Sequence, residues 1–241
     1  MTYRDPESLK KTAATVLGQT HKDLEYIVVD GGCDEDTAKV IQAIAQKMEK
    51  RGGTFRFVSE PDKGLYDALN KGIDMATGDL IGLMCDRFAD KEVLSDMADM
   101  ITMEGSDGIH TDLDYRNETR VVRRWRMGRG RIQSGWMPGH PTLYLKREVY
   151  ERFGRYRMDY RIAADYEFMA RILKEGVILS YLPRVCVHMD HGGDSTSTGS
   201  LKTYAASFAE GRRALKQNGY PHPGLTTILR TLRVLAQFVK R

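Results

Sequence analysis

The chain has 241 residues, of which 41% are hydrophobic and 29% are charged, and its formal net charge is +4. This composition is typical of a globular protein with one large domain or two small ones. No apolar run approaches the roughly 18 residues that a bilayer span requires, and three scattered cysteines without C-x-x-C spacing argue against a disulfide framework or a zinc ribbon.

The first residues contain no apolar segment of the signal-peptide type. Together with the cysteine usage, this leads us to expect a protein of the reducing cytoplasm.

Helical and strand-like segments alternate through the first part of the chain. Asp5 and Pro6 begin a predicted helix that ends at Gly18, and residues 24–30 form a short apolar strand. The same alternation continues with the helices TAKVIQAIAQKMEK, GLYDALNKGIDMA and KEVLSDMADMITM and the strands TFRFVSE, LIGLMC and DGIHTDL. This order predicts an α/β fold with a doubly wound, parallel sheet.

Acidic residues follow three of these predicted strands. They are Asp30, Glu60 with Asp62, and Asp86. Ligands of open α/β sheets bind outside the carboxyl ends of the strands, so the acids predict a binding site at that edge. The alternative interpretation is that they are turn residues, since Asp is common after strands.

From Asp114 onward the pattern changes to short strands, TRVVRRW and PTLYLK, followed by the helix EVYERFG, the helix AADYEFMARILKEG, the strand VILSYLP and a long final pair of helical segments. Residues 120–131 contain six arginines. These arginines predict either an anionic partner for this half or a solvated face. No RNP-like or recognition-helix pattern is present, so we expect no nucleic-acid partner.

The last helix is amphipathic and basic. A helical wheel places Ile228, Leu232, Leu235 and Val239 on one face and Arg230, Arg233, Lys240 and Arg241 on the other. Such a helix can lie on an anionic membrane surface, or its apolar face can cover the core of the same protein.

Three segments resemble glycosyltransferase family 2: DLEYIVVDGGCDEDT, SEPDKGLYDALNKGIDMATGDLIGLM and PGHPTLYLKREVYERFGRYRMDYRIAADYEFMARIL. They are most similar to bacterial enzymes that build exopolysaccharide, capsule or lipopolysaccharide, and the resemblance runs from Thr2 to about Gly219. It implies a GT-A-type fold and a Rossmann-like, mostly parallel sheet flanked by helices. It also implies an inverting transfer from a nucleotide-diphosphate sugar, with UDP favoured, to a hydroxyl of a glycan or lipid-linked saccharide. A divalent cation, Mn²⁺ or Mg²⁺, is implied as the cofactor.

The resemblance also implies an organisation and a location. Residues 1–113 would form the nucleotide-sugar-binding half, residues 114–219 the acceptor and catalytic half of the same domain, and residues 220–241 the basic C-terminal helix. The protein would be cytoplasmic, with a possible peripheral position on the inner face of the plasma membrane through that helix.

The resemblance assigns roles residue by residue. Asp165 matches the catalytic base, Asp30 matches the acid that hydrogen-bonds uracil, and Asp86 matches the acid that binds the metal. The predicted donor-binding set is Thr2, Tyr3, Asp30, Asp62, Lys63, Asn70 and Asp86. The predicted diphosphate loop contains Gly192, Gly193 and Ser195.

Three alternatives concern single residues in the catalytic half. Asp165 begins the helix DYEFMARIL, so it could also be a simple N-cap. Glu167 is expected to be an acceptor contact or a helix residue. His140, between Gly and Pro, is expected to contact the donor sugar or the acceptor, or to be a structural hydrogen-bonding residue.

Two features depart from the family pattern. Residues 1–4 resemble only the tail of the usual first strand, with Arg4 in place of Asn, so a central strand is expected to be missing. The usual L-N-(S/A)-D-D motif is shortened to LMCDRF, which leaves Asp86 without an upstream acidic partner. We expect weaker metal binding, with Arg87 and the arginines of residues 120–131 as partial substitutes. These departures motivate a second hypothesis, a non-catalytic glycosyltransferase-like partner protein with a degenerate metal site.

Overall fold

The computed structural model describes residues 1–84, 86–117, 119–190, 201–235 and 237, and in this part of the chain it shows a mixed α/β fold. The described helices are α1 (Pro6–Leu17), α2 (Glu35–Lys50), α3 (Leu65–Met75), α4 (Val93–Glu104), α5 (Arg147–Phe153), α6 (Ala164–Lys174), α7 (Leu201–Gln217) and α8 (Pro223–Leu235). The described strands are β1 (Glu25–Asp30), β2 (Thr54–Ser59), β3 (Leu80–Gly82), β4 (Arg87–Phe88), β5 (Gly108–Arg116), β6 (Val121–Trp125), β7 (Tyr144–Lys146) and β8 (Leu179–Asp190).

Local sequence signals set the helix starts. The side chain of Asp5 accepts a hydrogen bond from the Ser8 amide at 3.0 Å, and Pro6 occupies the first turn of α1, as predicted. Asp34 caps α2 in the same way through the Thr37 amide at 2.9 Å.

The strands form two sheets. β1 and β2 pair in parallel, and the second sheet has the order β3-β7-β5-β8-β4 with β6 added to β5. Within that second sheet only β5 and β8 are parallel, whereas β3, β4, β6 and β7 pair antiparallel with their neighbours. The sheet is therefore mixed, because the short strands of the second half return directly beside β5 without a crossover helix.

Residues 1–5 form no strand ahead of α1. The first residues contribute a single parallel bridge between Thr2 and Asp30. The Thr2 amide donates to the Val29 carbonyl at 2.8 Å, and the Gly31 amide donates to the Thr2 carbonyl at 3.1 Å. This bridge holds the N-terminal residues against the loop that follows β1.

The main core surrounds α6. Tyr166, Phe168, Met169 and Ile172 expose 1% of their surface or less, and they pack with side chains of α3, α5 and β7. A helix buried on this scale is a rigid support for a site at its N-terminus. The boundary expected after residue 113 lies inside β5, so the two predicted halves share one sheet.

Helices α7 and α8 pack on each other beside this core. Among the described residues, no helix is both long and apolar enough to cross a bilayer.

Candidate active site

Asp165 lies in the first turn of α6. Ala163 occupies the N-cap and makes no side-chain cap, so Asp165 is not the N-cap of this helix. Its half-buried carboxylate is instead 3.1 Å from the hydroxyl of Tyr66. That hydroxyl is also 2.7 Å from the Ile162 carbonyl, and its single proton can serve only one of the two acceptors at a time. The carboxylate therefore keeps lone pairs that can accept a further hydrogen bond.

The end of β8 connects Asp86 with Tyr115. Met189 of β8 pairs with Tyr115 of β5, and the amide of the next residue, Asp190, donates to Asp86 Oδ2 at 2.7 Å. Asp86 and Tyr115 therefore both adjoin the last residues of β8.

Electrostatics connects Tyr115 with both acids. Burial raises the pKa of Tyr115, Arg123 lowers it, and both Asp165 and Asp86 raise it further. The negative charges of Asp165 and Asp86 therefore both act on this one tyrosine. Sequence reasoning missed Tyr115, since the predicted strand stopped at Leu113. The alternation of side chains along a strand could have predicted it, since this alternation places residue 115 on the same face as residue 113.

Asp86 is a half-buried carboxylate, and few neighbouring groups offset its negative charge. Burial raises its pKa to about 6; the Asp190 amide, at 2.7 Å from Oδ2, lowers it, and the nearby Asp190 carboxylate raises it. Arg87 contacts Asp190 directly and lies 3.9 Å from Asp86. A divalent cation would relieve this accumulation of negative charge.

The metal-ligand set is small. The described residues contain no group of three or more His, Cys, Asp or Glu side chains arranged to hold a metal. A single half-buried carboxylate nevertheless fits a cation of the Mg²⁺ type, because such ions are bound by one or two carboxylates and complete their shell with phosphate oxygens and water.

Aromatic side chains form the other side of the site. The imidazole Nε2 of His140 is 2.9 Å from the hydroxyl of Tyr156, and the Tyr156 and Tyr66 ring centroids are 5.8 Å apart. Burial lowers the pKa of His140, and the negative charge of Asp165 opposes that shift. His140 therefore remains neutral near pH 7 and contributes hydrogen bonding beside Asp165.

The predicted donor residues cluster at the ends of β1 and β2. Asp30 is fully buried, and its carboxylate accepts from the Gly32 amide at 3.0 Å and from the Ser59 hydroxyl at 2.8 Å. Asp62 lies against the adjacent loop: a Cβ at Gly31 would come within 1.9 Å of its Oδ2. Only glycine at that position permits this approach of Asp62 to the end of β1.

Three further donor residues are more exposed. Thr2 is half-buried beside Asp30, whereas Tyr3 exposes 64% of its surface and Lys63 is also exposed. The loop with Asp62 and Lys63 leads directly into α3 and hence to Tyr66, so it connects the donor end to Asp165.

Asn70 and Glu167 make internal contacts. The side chain of Asn70 accepts from the Tyr156 amide at 3.0 Å and donates to the Tyr156 carbonyl at 2.9 Å. Glu167 is 1% exposed and forms an ion pair with Arg171 at 3.0 Å. This geometry favours a structural role for Glu167. The two hydrogen bonds of Asn70 hold the backbone of the loop that carries Tyr156.

Glu210 of α7 is a second residue that sequence reasoning missed. Its carboxylate accepts from the amides of Arg161, Ile162 and Ala163 at 2.9–3.0 Å. These three residues immediately precede α6, so Glu210 fixes the approach to Asp165. No local sequence signal connects two positions that are 48 residues apart.

The arginines of residues 120–131 do not form one patch. Arg126 pairs with Asp114 at 2.7 Å, and Arg129 pairs with Glu104 at 3.0 Å. Arg123 is different, because its guanidinium lies 4.5 Å from the ring centroid of Tyr115 and is 4% exposed. The predicted loop residues Gly192, Gly193 and Ser195 lie outside the described residues.

The family model of glycosyl transferase family 2 matches residues 1–178. The chain therefore belongs to glycosyltransferase family 2, and it is an enzyme of the transferase class.

Individual relatives agree with this assignment. An uncharacterized glycosyltransferase of Mycobacterium tuberculosis is 28% identical over 224 residues, which cover 88% of this chain and 80% of the relative. A PGL/p-HBAD biosynthesis glycosyltransferase of Mycobacterium bovis is 26% identical over 190 residues, 76% of this chain and 72% of the relative.

Solved structures show the same GT-A fold. S. aureus TarS 1–349 in complex with UDP-GlcNAc aligns with a TM-score of 0.72 and 15% identity over 98% of this chain and 71% of that chain. A longer TarS structure aligns with a TM-score of 0.65 and 14% identity. The alignment covers 92% of this chain but only 43% of that chain. The mannosyltransferase PcManGT from Pyrobaculum calidifontis in complex with GDP-Man and Mn²⁺ aligns at 0.69 with 17% identity, over 98% of this chain and 72% of that one.

Proposed function

We propose that the protein is an inverting glycosyltransferase that moves a sugar from a UDP-sugar to a hydroxyl group of a glycan or a lipid-linked saccharide. The observation that carries this proposal is that the negative charges of Asp165 and Asp86 both act on Tyr115, so two carboxylates are near one residue. A transferase needs one acid to take the proton of the acceptor and another to hold the charge of the leaving group, and these two carboxylates supply both.

In the proposed reaction Asp165 is the general base. It takes the proton of the acceptor hydroxyl as that oxygen forms a bond to the anomeric carbon of the donor sugar, and the bond from that carbon to the diphosphate oxygen breaks on the opposite face. The configuration at the anomeric carbon is thereby inverted. The Tyr66 hydroxyl, 3.1 Å away, orients the carboxylate, and general-base catalysis of this kind contributes about 10²–10⁴-fold.

Asp86 would hold the divalent cation, Mn²⁺ or Mg²⁺. When bound, the cation neutralises the charge that develops on the diphosphate as it leaves. Arg87 lies beside Asp86 and adds a fixed positive charge to this part of the site. We propose that Gly192, Gly193 and Ser195 contribute to the same diphosphate contact.

The donor end of the site supports a nucleotide. Asp30 and Asp62 meet at Gly31, with Thr2, Tyr3 and Lys63 close by in the chain. We assign uracil recognition to Asp30, and the TarS structure with UDP-GlcNAc supports a UDP-sugar. The structure of PcManGT with GDP-Man and Mn²⁺ supports the cation and makes GDP the competing nucleotide in any test.

We place the reaction in cell-surface polysaccharide synthesis, in the cytoplasm and at the inner face of the plasma membrane. The support is the resemblance to bacterial enzymes of that kind. A relative is named as a glycosyltransferase of PGL/p-HBAD biosynthesis, which supports a role of this chain in a biosynthetic sequence. His140 remains the candidate for contact with the acceptor or the donor sugar, because it lies beside Asp165.

A non-catalytic partner protein is the second candidate, and the single acid of the shortened motif favours it. Release of UDP from UDP-sugars, with and without oligosaccharide acceptors and Mn²⁺, separates the two functions. The enzyme hypothesis predicts release that Asp165→Asn lowers by about 10²–10⁴-fold, with unchanged UDP binding. The matched control is Asp99→Asn, on the exposed face of α4. Absence of release with every nucleotide sugar, or full activity of D165N, would contradict the proposal.

A further inference from the structure

Helix α8 presents its apolar side chains to solvent. Leu225, Ile228 and Leu232 follow helical spacing and expose 56%, 48% and 55% of their surface. One basic side chain of the helix points inward, since the guanidinium of Arg230 lies 4.3 Å from the ring centroid of Tyr166, whereas Arg233 is exposed. This orientation is the reverse of a helix that covers a core, so the second alternative for the amphipathic pattern does not describe α8.

Polar contacts hold α8 against the protein. Thr226 and Thr227 are 2% and 0% exposed, and Arg233 donates from Nε to the Ser134 carbonyl at 3.0 Å. The helix backbone packs on Gly135, where a Cβ would come within 2.4 Å of the Arg230 amide nitrogen. The apolar stripe therefore contributes little to this attachment and remains available for a partner.

Charge identifies the partner. Residues 201–241 contain eight Lys and Arg residues and one acid, Glu210. The Glu210 carboxylate is already engaged by three backbone amides. An apolar stripe within a strongly basic segment is complementary to an anionic lipid surface, which offers both hydrocarbon and negative headgroups.

Gln237, which follows α8, contacts the candidate site through Arg123. The side-chain oxygen of Gln237 accepts from Arg123 Nε at 2.8 Å and from Nη2 at 2.5 Å, and its main-chain carbonyl accepts from the Arg124 amide at 2.9 Å. Arg123 in turn lies over Tyr115, on which the charges of Asp86 and Asp165 act. We name the contacts of Gln237, Arg123 and Tyr115 the C-terminal latch.

We propose that α8 docks on an anionic bilayer surface and that docking stabilises the C-terminal latch, which raises the transfer activity of the site. Gln237 follows the end of α8 by two residues, so the position of the helix sets the position of the latch. Leu229 and the polar contacts hold α8 on the protein, and burial of its exposed apolar stripe in the headgroup region would fix it further. This inference rests on the proposed transfer reaction and adds its regulation by a lipid surface.

Vesicle flotation tests the docking surface. The full chain is mixed with vesicles of phosphatidylcholine alone or with phosphatidylglycerol added. We expect binding only to the anionic vesicles. The double variant Ile228→Ser/Leu232→Ser should bind them more weakly by about tenfold or more, since each change removes an aliphatic side chain that docking would bury. The matched control is Met103→Ser/Ile178→Ser, which alters exposed side chains elsewhere (83% and 66%). Equal binding by both double variants, or no binding at all, would overturn the docking surface.

Two substitutions of Gln237 test the latch. Gln237→Glu keeps an acceptor for Arg123, whereas Gln237→Leu removes it at similar size. Anionic vesicles should raise kcat by about fivefold or more, the usual range for coupled sites, in the unmodified chain and in Q237E but not in Q237L, with vesicle binding equal in all three. Activation of Q237L to the same extent would overturn the coupling.

Tryptophan fluorescence reports on the C-terminal latch without requiring catalytic turnover. The Arg123 guanidinium lies 5.3 Å from the ring centroid of Trp125, so vesicles should shift the tryptophan emission of the unmodified chain and of Q237E but not of Q237L. An equal shift in Q237L, or no shift in any chain, contradicts the coupling. If UDP release is absent while flotation and fluorescence behave as expected, the proposed reaction fails and the docking and latch stand.

Discussion

Asp165 and Glu167 are two residues apart on α6, yet their surroundings differ. Glu167 forms an ion pair with Arg171 and is almost fully buried. Asp165 is half-buried, and its described side-chain hydrogen bond is with the hydroxyl of Tyr66. The sequence predicted the acid that stays available. It left the second acid undecided because a motif does not show which neighbour neutralises a carboxylate.

The raised pKa of Asp86 gives a pH prediction. An acid whose pKa is higher in the folded state than in the unfolded state lowers stability as the pH rises between the two values, here from about 4 to about 6. Without metal, Asp86→Asn should therefore raise the Tm at pH 7 and leave it unchanged near pH 4. Thermal unfolding measured at both pH values checks this, and an equal Tm of both chains at pH 7 would contradict the burial argument.

Metal binding should follow the same titration. Because the ligand must be deprotonated, the affinity for Mn²⁺ should fall about tenfold per pH unit below pH 6. Isothermal calorimetry with Mn²⁺ and UDP between pH 5 and 7.5 measures the slope. A flat profile would mean that Asp86 is not the ligand.

Asn70 permits a test of a structural against a nucleotide-binding role. It makes two hydrogen bonds to the backbone of Tyr156, so Asn70→Ala should cost about 1–3 kcal/mol of unfolding free energy. Denaturant titration measures this loss. A variant with unchanged stability and weaker UDP binding would instead support direct contact with the nucleotide.

At the scale of elements, helix starts followed local signals closely, whereas strands did not. The segment LIGLMC was predicted as one strand, but β3 ends at Gly82 and β4 begins at Arg87. Gly82 packs directly against the ring of Tyr144, where a Cβ would come within 1.9 Å. Such pairing of distant strands cannot be deduced from periodicity.

The orientation of α8 could not be predicted from a helical wheel either. The wheel separates two faces correctly, but it does not say which face meets the protein. Arg230 packs on Tyr166, and Ile228 remains exposed. A basic residue inside and an apolar residue outside follow from the aromatic and polar partners that other elements provide.

The contact between α7 and the segment before α6 gives a prediction for these elements. Glu210→Ala removes an acceptor for three backbone amides and should cost about 2–4 kcal/mol, since hydrogen bonds to charged groups are worth about 1.5–3 kcal/mol each and are not fully additive. It should lower kcat more than it changes the affinity for UDP. Steady-state kinetics and UDP calorimetry separate these effects, with Glu49→Ala on the exposed face of α2 as the control. A kcat equal to that of the control would contradict the positioning role.

At the scale of the molecule, the α/β class was predictable, because alternation of helices and strands is a local feature. The predicted single sheet edge was not found, since Asp30 ends a strand of the β1–β2 sheet and Asp86 precedes β4 of the second sheet. The contacts of Tyr115, Glu210 and Gln237 were not predictable either, because they join distant segments of the chain.

We expect this site to bind a nucleotide-diphosphate sugar through Asp86 and a divalent cation. Thermal unfolding with UDP or GDP, each with and without Mn²⁺, tests it most directly in the unmodified chain, in Asp86→Asn and in the control Asp99→Asn. A ligand at 100 times its Kd adds about 2.7 kcal/mol, which corresponds to about 5–10 °C for a chain of this size. We predict a shift of this size with UDP that requires Mn²⁺ and is lost in D86N alone; no shift with either nucleotide, or an equal shift in D86N, would contradict the account.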